Sequence, residues 1–130
     1  MSNRRKPALR NDYRMGFLSS PAWFARRDRW FRHHTADGAV VICALCGVTG
    51  DRHSLELHHL DYRGVFKANG AWRSYEKDED LIPLHHGCHE VLHQPIDRDT
   101  LLSRQRSRRD ATDTALILLR IAIAEENAHA

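Results

Sequence analysis

The sequence contains few cysteines and lacks a long apolar run. Its three cysteines are an odd number, and two of them form a C-x-x-C pair, which argues against a secreted scaffold held by disulfides. Residues 1–14 contain no apolar signal segment, and the longest apolar run, residues 115–124, is interrupted by Arg120. That run is far shorter than the roughly 20 residues that span a bilayer. We therefore expect a cytoplasmic protein with no membrane association, whose reduced thiols can bind metal.

Aromatic residues make up only 8% of the 130 residues, which limits the size of the core. Small domains of this kind are often stabilised by a structural metal. The charge is unevenly distributed. Residues 1–36 carry nine basic and two acidic side chains, a local balance of +7, whereas the other 94 residues carry eleven and fifteen, or −4. A basic N-terminal third is typical of a surface that contacts a phosphate backbone.

The N-terminal third is predicted to be an arm followed by a helix. Residues 1–18 are charged and show little periodicity, which is typical of a flexible arm that becomes ordered on a partner. Ser20 and Pro21 predict the start of a helix that runs to about His34. One side of this helix is expected to bury Trp23, Phe24, Trp30 and Phe31. The arginines of this helix either form a solvated basic face or contact DNA, and the second interpretation selects Arg26, Arg27, Arg29 and Arg32.

The cysteines lie in two short motifs that are typical of zinc ligands. Cys43-x-x-Cys46 is followed by Gly47, which permits the tight turn of a zinc knuckle. His85-x-x-Cys88 begins after a further 38 residues, enough for a hairpin to form between the motifs. Structural zinc takes four nitrogen or sulfur donors. The two motifs therefore predict a structural zinc site, with His86 as an alternative to His85 and three incidental buried thiols as the alternative to the site itself.

Two strands and a helix are predicted between the first cysteine motif and Pro95. Residues 54–60 and 81–84 have strand character, and the polar loop of residues 61–79 between them is unusually long, which is typical of a functional loop. A turn at residues 86–87 is expected to lead into a helix that ends at Pro95. A second helix, residues 110–127, carries an apolar face that favours core packing or a homodimer interface.

Four further histidines are placed by these elements so that they can form one site. His89 and His93 are four residues apart on the predicted helix and share one face, where both imidazoles can hold a single metal ion. His58 and His59 are adjacent on a strand and point to opposite faces, which leaves one as a metal ligand and the other as a general base. A His-His pair taken alone is more often structural, but its position between the two cysteine motifs favours a site.

The combination of C-x-x-C-G, L-E-L-H-H-L and D-L-I-P-L-H-x-x-C-H-x-x-x-H resembles the HNH endonucleases of the ββα-metal type, which include small bacterial and phage enzymes. The S-P-A-W stretch that opens the arginine-rich helix is also similar to that group. The resemblance covers Ser20 to His93. It implies an α+β fold with a small ββα-metal (His-Me finger) core and a zinc-bound β-hairpin, flanked by N-terminal and C-terminal helices. The expected divisions are a basic arm (1–18), a nuclease domain with its N-terminal helix (19–95) and a C-terminal helical extension (96–130).

The resemblance also implies roles for individual residues. His59 matches the general base that activates water. Asp80 occupies the place of an asparagine that fixes the loop between the strands and orients the base, and aspartate keeps the acceptor but loses the amide donor. The ligands of the catalytic metal would be His58, His89 and His93. The ligands of the structural zinc would be Cys43, Cys46, Cys88 and His85, the last standing where the family usually has a cysteine.

The function implied by the resemblance is metal-dependent hydrolysis of phosphodiester bonds in DNA. Three imidazoles form a softer site than carboxylates, so Mn²⁺, Ni²⁺, Co²⁺ or Zn²⁺ are expected to support activity alongside or instead of Mg²⁺. Contacts with the DNA backbone predict a strong dependence of binding on salt. The alternative is a non-catalytic, zinc-containing nucleic-acid-binding module of the same fold, and Asp80 is the residue that favours it most.

Overall fold

The protein is a small α+β chain, described by a computed structural model over residues 16–98 and 107–129. Most of the predicted arm, residues 1–15, lies outside the described residues. The described part contains three α-helices and three two-stranded antiparallel sheets. In chain order the elements are α1 (Pro21–His34), β1 (Val41–Ile42), β2 (Thr49–Gly50), β3 (Leu55–His59), β4 (Val65–Ala68), β5 (Ala71–Ser74), β6 (Leu81–His85), α2 (His86–Arg98) and α3 (Arg108–His129). The predicted α+β class is confirmed.

Helix α1 begins as predicted, but the chain before it is not all arm. The Ser20 hydroxyl accepts a hydrogen bond from the backbone N–H of Trp23 at 3.2 Å, and Pro21 occupies the first turn. Phe17, expected in the arm, is fully buried, with its ring 5.5 Å from that of Trp23. Because Phe17 packs in the core, the arm boundary at residue 18 lies too far along the chain.

Two residues of α1 differ from the predicted burial: Phe24 was expected to be buried and Arg26 to be exposed. Phe24 is 52% exposed, whereas Arg26 is buried with Trp23 and Trp30. Helical spacing explains this, since Arg26 lies three residues after one tryptophan and four before the other and so shares their face. The Arg26 guanidinium is paired with Asp78 and donates to the backbone carbonyl of Glu76 at 2.8 Å. The prediction that Arg26 faces outward for DNA is therefore wrong.

The Asp78 carboxylate, which joins Arg26 and His33 of α1, predicts a pH-dependent contribution to stability. Burial raises its pKa, but the hydrogen bonds from Arg26 and His33 outweigh burial and leave the pKa below its usual 3.8. A depressed carboxyl pKa stabilises the fold above the unfolded value, and the effect is lost as the pH falls through the folded value. We expect Asp78→Asn to cost about 1 kcal/mol at neutral pH, a small figure because the carboxylate is partly exposed.

Urea unfolding of the wild type and Asp78→Asn at several pH values measures this contribution. The difference in unfolding free energy should be constant from about pH 7 to pH 5 and should shrink below about pH 4. A difference that grows on acidification, or that is absent at neutral pH, would contradict the role given to Asp78.

The two strands that carry the site, β3 and β6, pair antiparallel from Leu55 opposite His85 to His59 opposite Leu81. Their apolar side chains, including Leu57 and Leu84, are buried in the core. Strand β6 leads directly into α2, so the predicted turn at residues 86–87 is wrong.

Helix α2 also continues beyond Pro95, which was expected to end it, and reaches Arg98. The missing N–H of a proline this near the helix end removes only one hydrogen bond, and continuation buries Ile96.

The predicted long loop, residues 61–79, contains the hairpin β4–β5. The strands pair from Val65 opposite Ser74 to Ala68 opposite Ala71. The turn residues Asn69 and Gly70 have φ values of 52° and 77°. Positive φ at both positions is what an Asn-Gly hairpin turn requires, and that dipeptide is a sequence signal that the loop prediction overlooked.

The C-terminal helix α3 is part of the core and is not only an extension. Its buried residues Ala111, Thr112, Ala115 and Leu116 lie on one face, and the helix packs against α2. Its other side exposes Ile117, Leu118 and Ile121, so the homodimer interface stays a prediction. Within the described ranges, no helix has the length and apolar character needed to cross a membrane.

Candidate functional site

The first candidate metal site is the cysteine cluster, defined as Cys43, Cys46, His85 and Cys88. Gly47, with φ of 77°, closes the knuckle turn, in which its N–H donates to the Cys43 carbonyl at 3.0 Å. The backbone N–H of Ala44 donates to the carbonyl of Pro83 at 2.8 Å, which holds the knuckle against β6. As a result one ligand atom from each of the four residues lies within 4.8 Å of the others. Three sulfurs and one nitrogen are a donor set that suits zinc.

The thiols of this cluster have unequal pKa values. Burial raises the pKa of Cys43, but backbone hydrogen bonds from Cys46, His85 and Leu45 outweigh burial and lower it to about 6. Burial raises the pKa of Cys88, and the neighbouring thiols Cys43 and Cys46 raise it further, to about 12. A divalent cation removes this conflict because it binds all the thiolates at once, and proton release should accompany its binding.

His85 and His86, the two candidates for the fourth position of the cysteine cluster, have different surroundings. The Nδ1 atom of His85 lies 3.3 Å from the Cys46 sulfur. His86 is exposed and instead contacts the carboxylates of Glu56 and Glu90, each at 2.9 Å. His85 is therefore the residue that belongs to the cysteine cluster.

The second candidate metal site is the histidine cluster, defined as His58, His89 and His93. The Nε2 atom of His89 lies 3.2 Å from Nδ1 of His58 and 3.0 Å from Nε2 of His93. The three ligand atoms lie within 4.8 Å of one another. The predicted helical pair and the predicted strand residue thus come together in space. Burial lowers the pKa of His58 well below its usual range, and the charge of Arg108 lowers it further, so its imidazole is the neutral form that binds metal.

Two residues outside the cluster orient its imidazoles. The buried hydroxyl of Thr112, on α3, lies 3.0 Å from Nε2 of His58, and the carboxylate of Glu56 lies 2.9 Å from Nδ1 of His89. Contacts of this kind fix the tautomer, because a ring nitrogen that donates to an oxygen leaves the other nitrogen as the ligand. In both residues the nitrogen left as ligand is the one that faces the cluster.

Thr112→Val tests whether this orientation matters. Valine fills the same space without the hydroxyl, so we expect the affinity of the histidine cluster for Mn²⁺ or Ni²⁺ to fall about 10-fold to 100-fold. Calorimetric titration of zinc-loaded protein measures it, and Thr112→Ser, which keeps the hydroxyl, is the matched control. Unchanged affinity in Thr112→Val would show that His58 needs no such partner.

His59 lies on the opposite face of β3 and is only 3% exposed. Its ring lies between Trp23 and Tyr62, with both ring centroids at 4.8 Å. The Nε2 atom lies 2.6 Å from a carboxylate oxygen of Glu76, whose other oxygen accepts from the Ser74 hydroxyl. Since Nε2 donates to a carboxylate, neutral His59 carries its lone pair on Nδ1.

The pKa values of His59 and Glu76 are both lowered, which keeps the histidine neutral and the carboxylate charged. Burial lowers the pKa of His59, and the hydrogen bond and charge of Glu76 oppose that shift without reversing it. Burial raises the pKa of Glu76, but hydrogen bonds from His59 and Ser74 outweigh it and the pKa is lowered. A neutral imidazole oriented by an anionic carboxylate is a suitable general base.

The side chain of Asp80 contacts Arg109 and does not contact His59, the predicted base. Its buried carboxylate pairs with Arg109 at the start of α3, and its backbone carbonyl accepts from the N–H of Leu60 at 2.8 Å. Both contacts tie the segment before β6 to its neighbours, whereas the carboxylate that reaches His59 belongs to Glu76. The carboxylate that contacts His59 is thus that of Glu76, which the sequence did not single out, and the loop-fixing role of Asp80 stays a prediction.

The arginines predicted to contact DNA differ in exposure. Arg29 and Arg32 are exposed on α1. Arg27 is partly buried, where it donates to the carbonyl of Leu55 at 2.9 Å. With Arg26 buried, only two of the four predicted arginines are exposed.

Arg108 is a further cation that the sequence did not single out. Its Nε donates to the backbone carbonyl of His59 at 2.6 Å, and its guanidinium lies 4.7 Å from the centroid of the Tyr62 ring. The carboxylates near the two faces of β3 are already engaged, Glu56 and Glu76 by histidines and Asp80 by Arg109. A divalent cation on these three imidazoles would have no carboxylate ligand, and its charge would attract an anionic ligand.

These arrangements define a small α+β protein with two groups of side chains that can hold metal ions. No protein-family model, curated protein or solved structure matches the chain.

Proposed function

We propose that the protein is a metal-dependent endonuclease of the HNH, ββα-metal type that hydrolyses phosphodiester bonds in DNA. The observation that carries the proposal is that two adjacent residues of β3, His58 and His59, have different partners. His58 faces two other imidazoles that can share a metal ion, while its neighbour His59 faces a carboxylate that orients it as a base. Strands β3 and β6 with helix α2 would form the ββα unit.

The catalytic residues divide into a base and an electrostatic group. His59 accepts a proton from water at Nδ1, and Glu76 keeps its Nε2 protonated and stabilises the imidazolium that forms. Arg108, whose charge lowers the pKa of both His58 and His59, attracts the phosphate to this end of the strand. A divalent ion held by His58, His89 and His93 would supply stabilisation of the charge that develops on the phosphate and the leaving oxygen.

The proposal is tested by incubating supercoiled plasmid and single-stranded DNA with the zinc-loaded protein and added Mg²⁺, Mn²⁺, Co²⁺, Ni²⁺ or Zn²⁺. We expect cleavage that depends on the added ion and is strongest with the softer ions. His93→Ala purified in parallel controls for contaminating nucleases. Binding to DNA without cleavage under any of these ions would contradict the proposal.

One observation favours a second candidate, a non-catalytic nucleic-acid-binding module of the same fold. A general base must reach water, yet only 3% of His59 is exposed. Catalysis therefore requires that its outer cover, the partly exposed Tyr62, moves when substrate binds. Hydrogen exchange at residues 60–64 that is unchanged by a non-cleavable phosphorothioate oligonucleotide would favour the binding module.

The exposed arginines of α1 predict the salt dependence of DNA binding. Each phosphate contact adds about one to the slope of log affinity against log salt. We expect Arg29→Ala/Arg32→Ala to reduce that slope by about two for duplex DNA, measured by fluorescence anisotropy at several salt concentrations. An unchanged slope would remove α1 from the DNA interface.

A further inference from the structure

The β4–β5 hairpin presents aromatic rings to solvent on one face. Strand alternation and the pairing of Phe66 with Arg73 place these two side chains and Tyr75 on the same side. Phe66 is 46% exposed and Tyr75 is 66% exposed, and their rings stack with centroids 5.8 Å apart. The other face packs inward, where Ser74 meets Glu76. The outward faces of these two rings are exposed to solvent and are not used for packing in the core.

The charges around these rings are almost all of one sign. Between residues 62 and 77 the only acidic side chain is Glu76, which is buried against His59. The exposed basic residues of this segment are Lys67, Arg73 and Lys77, together with Arg63, which is paired with Asp61. Aromatic rings among basic side chains are the combination that binds single-stranded nucleic acid, because bases stack on the rings while cations follow the backbone.

The hairpin is fixed relative to the proposed base. Tyr75 directly precedes Glu76, and its backbone N–H donates to the carbonyl of Gly64 at 2.8 Å. A Cβ on Gly64 would lie 2.7 Å from the backbone of Tyr75, and the φ of Gly64 is 90°. This close backbone contact holds Tyr75 in place, and Tyr75 is the residue next to Glu76, whose carboxylate orients His59.

We propose that Phe66 and Tyr75 stack on unpaired bases of the DNA strand that flanks the phosphate to be cut. This inference rests on the proposed function and narrows its substrate class to single-stranded or locally unpaired DNA. A duplex hides the faces of its bases between neighbours, so two exposed rings gain little from it, whereas every unpaired base offers a face. The basic side chains of the hairpin bind the phosphates on either side.

Fluorescence anisotropy tests the proposal with a labelled single-stranded oligonucleotide and a duplex of the same length, using zinc-loaded protein without other divalent ions. We expect Phe66→Ala/Tyr75→Ala to weaken binding of the single strand at least about fivefold and binding of the duplex much less. Tyr75→Phe, which keeps the ring, should bind as the wild type does. Val40→Ala/Ile42→Ala, which also removes exposed apolar side chains, should leave affinity unchanged. Circular dichroism and zinc content verify that each variant is folded.

The outcomes separate this proposal from the nuclease proposal. Unchanged affinity of Phe66→Ala/Tyr75→Ala for the single strand overturns the stacking role, even if the wild type cuts DNA. If sedimentation shows that Phe66→Ala/Tyr75→Ala loses self-association while its DNA affinity is unchanged, the rings contact a second copy of the chain. That result also overturns the stacking role. Binding of single strands that depends on the two rings supports the stacking role. If the wild type then fails to cut DNA, that failure contradicts only the nuclease proposal.

Discussion

Cys88→Ser is expected to yield a chain that holds no zinc and does not fold. The cysteine cluster joins the knuckle after β1, the end of β6 and the first turn of α2, which are distant in sequence. Structural zinc contributes an apparent 10–16 kcal/mol in small domains, roughly as much as or more than the total stability of about 5–15 kcal/mol of a typical protein. Loss of one thiolate should therefore unfold the protein.

Zinc content by mass spectrometry and near-ultraviolet circular dichroism measure this result. His85→Cys is the matched control, because it replaces the nitrogen donor by a fourth sulfur and keeps a zinc-binding set. Zinc affinity of the wild type should fall as the pH falls, since protons compete for the thiolates. A zinc-free Cys88→Ser protein with the wild-type spectrum would show that the cluster does not hold the fold together.

His59→Gln is expected to lower the rate of plasmid cleavage by about 10²-fold to 10⁴-fold, the usual contribution of a general base. The glutamine amide can still donate to Glu76, so the buried carboxylate keeps a partner and the fold should persist. Because an amide has no basic nitrogen, the proton of the attacking water has no acceptor in this variant. The cluster formed by His58, His89 and His93 should still bind its metal ion.

His53→Gln is the control for His59→Gln, since His53 is exposed on the turn before β3. Single-turnover rates at saturating protein separate a loss of chemistry from a loss of binding. If His59→Gln cleaved DNA at the wild-type rate, His59 would not be the base, and the pair with Glu76 would be a structural contact in the core.

Local sequence signals predicted the elements that position the site. The Ser20-Pro21 start of α1 and the strands β3 and β6 follow from capping and alternation, which act within a few residues. The same local rules placed His89 and His93 on one helical face and His58 opposite His59. Spacing grouped Cys43 with Cys46, His85 with Cys88 and His89 with His93, whereas the choice of His58 over His59 as a metal ligand came from the family resemblance.

The errors in the fold came from competition between local signals and packing. Pro95 and Phe24 have clear local preferences, yet burial of Ile96 and of Arg26 decides the outcome at both places. The β4–β5 hairpin was missed although Asn69 is followed by glycine, because its exposed face carries Phe66 and its inward face carries Ser74, so apolar and polar residues do not alternate regularly.

The residues that complete the site could not be predicted, because they arrive through long-range contacts. Glu76 meets His59 from 17 residues away and Thr112 meets His58 from 54 residues away. Neither residue stands in a motif, and Arg108 begins a helix whose packing the sequence left open. Asp80 had a motif position, but the sequence did not indicate its partner Arg109, which lies 29 residues further on.

We propose that the neighbouring residues Cys88 and His89 bind different metal ions with different tasks. The most direct test is to measure zinc content, Mn²⁺ binding and Mn²⁺-dependent plasmid cleavage together in His89→Ala. The variant should retain one zinc ion per chain and the folded spectrum but lose both Mn²⁺ binding and cleavage. Cleavage at the wild-type rate, or loss of zinc together with Mn²⁺, would contradict the division into two sites.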